Sequence, residues 1–80
     1  MNEITFAVLC ELLNNAYAIS IDKELLYPVT YPDMIEFGGN FEIMIEESEI
    51  KRITVTDYPS IILETESEKF EIVLLTPKSI

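Results

Sequence analysis

The stretch MIEFGGNFEIMIEESEIKRITVTDYPSIILETESEKFEIVLL, residues 34–75, decides the fold. Apolar residues recur in it at every second position, and polar or turn-forming clusters break the alternation at short intervals, the pattern of successive β-strands. Residues 34–37 and 41–46 flank Gly38-Gly39-Asn40, whose glycines can take the positive φ that tight hairpins demand. The next strand, about residues 50–56, follows the polar Glu47-Ser48-Glu49 turn. Asp57-Tyr58-Pro59-Ser60 is a turn by composition and separates it from a strand over 61–66. Glu66-Ser67-Glu68 then returns the chain into a last strand over 69–75. Strands that follow one another through short turns make an antiparallel meander.

Alternate residues of a strand face opposite sides of the sheet, so Phe41, Ile43, Ile45, Ile53, Val55, Ile61, Leu63, Phe70, Ile72 and Leu74 are expected on one apolar face. N-terminal to the meander, Val8, Leu9, Leu12, Leu13, Ala16 and Tyr17 fall at three- and four-residue spacing and predict a helix over 3–17. Asn2 is the expected N-cap, Glu3 lies in a first turn that favours an anion, and Asn14-Asn15 supply a stop. Burying the helix stripe on the sheet gives an α+β fold, with one N-terminal helix packed on a four- to five-stranded antiparallel meander sheet. Residues 18–33 are ambiguous. Ile19-Ser20-Ile21 reads as a short strand, Asp22 to Leu26 as a turn of helix capped by Asp22, and Pro28 and Pro32 favour an extended edge segment or loop. Residues 76–80 read as a loose tail.

Eighty residues fit a single domain, 1–80, with one core, and 49 % apolar residues are too many for a disordered acidic tail. Fifteen Asp and Glu against five Lys and Arg leave a net charge of −10. That field repels phosphate backbones and anionic membranes, which argues against direct nucleic-acid or membrane binding, and it attracts basic protein surfaces, including the grooves with which nucleic-acid-binding proteins hold their ligands. The one cysteine, Cys10, cannot form an internal disulfide, which suits a reducing cytoplasm. The start Met1-Asn2-Glu3 and the charge at Glu11 speak against a secretory leader, and no apolar run reaches the ~18–20 residues of a membrane span.

The parity that sends Ile and Phe inward sends Glu42, Glu46, Glu64, Glu66 and Glu71 outward, with Arg52 as the main counter-charge. Residues two apart on a strand are separated by roughly 6.6 Å, the order of the spacing between successive phosphates, so such a face can imitate a nucleic-acid backbone. The competing reading is a solvated outer face whose charges deter edge pairing. Met44, Ile62, Val73 and Leu75 share the outward parity, and with Tyr27, Tyr31 and Tyr58 they suggest a contact patch ringed by carboxylates. A fold in which residues 18–33 cover them, or a homodimer, would bury them instead.

Signs of catalysis are few. The absence of His removes the commonest general base and metal ligand, Cys10 has no neighbouring cation, and no Asp-rich loop has calcium spacing. Gly38-Gly39-Asn40 lacks the Lys-Ser/Thr and the helix of a phosphate loop. No catalytic, cofactor-binding or metal-binding residue is therefore expected, and no cofactor. These observations lead to the expectation of a non-enzymatic inhibitor that occupies a basic surface, a profile suited to a phage or mobile-element product that blocks a defence effector such as a CRISPR complex. The alternative is an assembly module, a homodimer or a subunit of a larger complex. A small carboxylate-based enzyme ranks third.

Overall fold

The computed structural model describes residues 2–75. The expected tail over 76–80 lies outside the described residues. The fold is α+β, and the described residues form one α-helix and an eight-stranded antiparallel sheet, more strands than the four to five expected.

The strands read from alternation fall where expected: β6 is Ile50–Asp57, β7 is Ser60–Thr65 and β8 is Lys69–Leu75. The three added strands come from two places. A two-residue strand, β1 (Asn2–Glu3), pairs with Thr54 and Val55 of β6. The ambiguous segment supplies two more, β2 (Ala18–Ile21) and β3 (Glu24–Tyr31). They meet in a two-residue hairpin at Asp22-Lys23, where φ is 53° and 68°. Both values lie in the left-handed region, as a turn matched to strand twist requires, although neither residue is glycine. Pro28 is tolerated within β3 because the ladder with β2 stops at Leu26, and beyond it β3 pairs only with β4 (Met34–Gly39). The helix takes over that flank, where the Thr30 hydroxyl donates to Asn14 Oδ1 at 2.9 Å.

Several local expectations are corrected. β4 runs through both glycines, neither with positive φ, and β5 begins only at Ile43 (Ile43–Glu46), so Phe41 lies in the turn and is exposed rather than on the inner face. Gly39 is required for space instead: a Cβ there would stand 2.7 Å from the Leu25 carbonyl oxygen and 2.8 Å from Leu26 Cδ2, whereas one on Gly38 meets nothing within 4 Å. Helix α1 is shorter than read, Phe6–Asn14, because the N-cap is Thr5, whose Oγ1 accepts from the Val8 N–H at 3.2 Å. Asn2 and Glu3 pair in a sheet, and Val8 and Tyr17 of the expected stripe are exposed.

The order of strands across the sheet is β1-β6-β7-β8-β2-β3-β4-β5. β6 is second and β5 eighth, so a flat sheet would hold them six spacings, about 29 Å, apart. Yet only the three-residue 3-10 turn Glu47–Glu49 joins them, and the four steps from Glu46 to Ile50 reach at most ~14 Å. The sheet must curl on itself into an open barrel. Two bonds hold the turn in place: the Glu47 N–H donates to the Asp33 carbonyl at 2.8 Å, and the Glu46 N–H donates to Glu49 Oε1 at 3.1 Å. The concave side is the core, where Ile19, Ile21, Leu26, Ile35, Phe37, Ile45, Ile53, Ile61, Leu63, Ile72 and Leu74 surround Leu9 and Leu13 of α1.

Two predictions follow from the turns. Lys23→Gly should raise stability by about 0.5–1 kcal/mol, read as a higher urea midpoint, because glycine takes the left-handed conformation without a Cβ penalty. Gly39→Ala should cost about 1–3 kcal/mol on the same scale, while Gly38→Ala stays within roughly 1 kcal/mol of the parent.

Candidate protein-interaction surface

On β3 the even-numbered residues turn inward and the odd-numbered ones outward. The outward row is Leu25, Tyr27, Val29 and Tyr31, exposed by 46 %, 48 %, 47 % and 42 %. Isolated apolar side chains on a surface are ordinary, but four in register along one strand make a continuous stripe on the order of 400 Å².

The neighbouring strands leave the stripe standing clear. Ser20 lies across from Leu25 and Gly38 across from Tyr27, both too small to cover it. Farther along, Glu36 faces Val29 and Met34 faces Tyr31; beyond them on β5, Met44 faces Glu36 and Glu46 faces Met34. Met44 is 57 % exposed and widens the apolar area. Glu46 and Glu24 edge it, and Glu36 lies within it. The Tyr31 hydroxyl donates to Glu36 Oε1 at 3.4 Å, and at the other end Glu24 accepts from Asn40 Nδ2 at 3.2 Å.

The structure brings only some of the expected contact residues together. Tyr27 and Tyr31 share the β3 row, with Met44 and Glu46 on its β5 margin. Glu64 and Glu71 form a separate group on β7 and β8, and Arg52 reaches Glu64 at 3.7 Å, the one ion pair among the described residues. Lys69 also stands opposite Glu64, so that group is partly compensated. Ile62, Val73 and Leu75 lie on the same two strands and are half-buried. β2 separates β8 from β3, and the curl turns the two groups in different directions. Tyr58, exposed in the β6–β7 turn, is likewise separated from the row by β8 and β2. Glu42 lies in the β4–β5 turn. Glu66 lies in the β7–β8 turn, on a cleft of about 410 Å³ shared with Glu49, Glu68, Met44 and Phe70.

Leu25, Val29 and Glu36 belong to the surface and went unread. The signal for Leu25 and Val29 was present in ELLYPVTY, residues 24–31, where apolar residues occupy both parities, but Pro28 masked it as a strand.

Cys10 sits half-buried between α1 and the 3-10 turn, beside a cleft of about 430 Å³ that Phe6, Asn14, Tyr31, Pro32 and Glu47 also line. Burial, and secondarily the Glu47 carboxylate, push its thiol above the ordinary range, which keeps it protonated and weakly nucleophilic near neutral pH. Among the described residues no three His, Cys, Asp or Glu side chains gather as a metal site, and no helix is long and apolar enough to cross a membrane. No protein-family model, curated protein or solved structure matches the chain.

Iodoacetamide at pH 8 should therefore alkylate Cys10 more slowly in the folded protein than in urea, and Glu47→Gln should speed the folded-state reaction by removing the anion that opposes the thiolate. Equal folded and unfolded rates would contradict the environment described for Cys10.

Proposed function

We propose that this chain is a non-enzymatic, acidic protein-interaction module that inhibits a nucleic-acid-binding protein by covering its basic surface, with the outer face of β3 as the centre of contact. The observation that carries this reading is the exposed Leu25-Tyr27-Val29-Tyr31 row on a chain of net charge −10. Aromatic and aliphatic side chains edged by polar groups are the anatomy of an interface core and rim. Burying on the order of 400 Å² is worth roughly 10 kcal/mol before association costs of about 4–15 kcal/mol, so the stripe supplies the apolar part of a contact that charge must help to hold. The acidic field supplies the steering and rejects nucleic acid and anionic membranes as competitors.

The carboxylates are spread around the curl, so the attraction comes from the field of the whole chain and not from a copy of one phosphate ladder. A small module of this kind, working in the cytoplasm without a cofactor, suits a phage or mobile-element product directed at a defence effector such as a CRISPR complex.

The test is affinity capture from cell lysate at low and high salt, with the retained proteins then assayed for nucleic-acid binding. The expected result is a nucleic-acid-binding protein that is released as salt rises, is displaced by its own nucleic acid, and is lost when Tyr27→Ser and Val29→Ser are combined. Light scattering that shows a tight dimer, with the same double substitution making it monomeric, would replace this reading with an assembly module.

A further inference from the structure

Glu36 differs from the other carboxylates in its surroundings. It is half-buried on β4, directly between Val29 of β3 and Met44 of β5, and Tyr31 lies diagonally beside it with its hydroxyl on Oε1 at 3.4 Å. It forms no ion pair among the described residues. It is thus a carboxylate set inside the apolar surface, where Glu46 and Glu24 lie at its margins.

A partner that covers this surface strips water from Glu36, and an unpaired carboxylate in an apolar contact is costly. A covering surface that brings a cation to that point offsets the cost most fully. The walls favour arginine over lysine. A guanidinium is weakly hydrated, lies flat against an aromatic ring and against methionine or valine, and presents two N–H groups to one carboxylate, whereas an ammonium is compact and strongly hydrated.

We propose that Glu36, walled by Tyr31, Val29 and Met44, is the anchor point for an arginine side chain of the partner. The proposal rests on the reading of the β3 face as a contact surface and specifies the chemistry at its centre. The long contact from Tyr31, 3.4 Å, engages one carboxylate oxygen only, and the other accepts no side-chain hydrogen bond among the described residues.

The test is titration of the full chain, at low salt, with a ten-residue polyarginine and a ten-residue polylysine peptide, followed by calorimetry and by backbone amide shifts. Polyarginine should bind about tenfold more tightly than polylysine, with the largest shifts on β3, β4 and β5 around Glu36. Glu36→Gln should abolish that difference, and Glu71→Gln, on the separate β7–β8 group, should weaken both peptides alike and preserve it. If the two peptides bind equally, or if Glu36→Gln and Glu71→Gln act identically, the arginine anchor is wrong while the acidic attraction behind the proposed function stands. If neither peptide binds, both fall.

Discussion

A three-residue link sets the shape of this protein. The turn Glu47–Glu49 must carry the chain from β5, at one edge of an eight-stranded sheet, to β6 near the other. Covalent geometry allows that only if the sheet rolls up. Rolling makes one face concave, and a nine-residue helix with two fully buried leucines is enough to fill it. The other face becomes convex and is divided among several directions. Which outward side chains share a surface is thus decided by the curl as much as by strand parity.

The division of chemistry between the faces is complete. The buried positions are hydrophobic, with no buried polar or charged residue among those described. No carboxylate is buried among the described residues. A net charge of −10 on a chain of this size repels itself, and spreading the carboxylates around a closed curve relieves that repulsion better than a flat acidic face would. The largest departure from polar-out is β3, whose outer row is apolar and exposed. Nearly half of each side chain in that row stays in water, where it adds nothing to the domain's own stability, and this is the physical reason for proposing it as an interface.

How far the sequence could be read depended on local signals. β7 and β8 were legible because clean alternation is bounded by Pro59-Ser60 and Ser67-Glu68, and their inward residues all reach the core. β2 and β3 were not, because their hairpin uses Asp-Lys where glycine is usual and because Pro28 sits in a strand whose β2 ladder ends just before it. Gly38-Gly39 resembled a turn, but both lie in β4, and Gly39 serves close packing against Leu25 and Leu26. The same gap limited the site. Tyr27, Tyr31, Met44 and Glu46 were marked by residue type, whereas Leu25, Val29 and Glu36 acquire meaning only once β3 is known to be a strand between β2 and β4. The curl itself is non-local, since it requires the strand order before the shortness of the β5–β6 link acquires any force.

The most direct test of the account is site-specific photocrosslinking in cells that carry both the protein and its target, with benzoylphenylalanine placed at Val29 in one variant and at Lys51, away from the β3 face, in another. The account predicts that Val29 crosslinks to one protein whose nucleic-acid binding is lost in the complex, and that Lys51 does not. Crosslinks from Val29 only to a second copy of the chain, or equal yields from both positions, would contradict it.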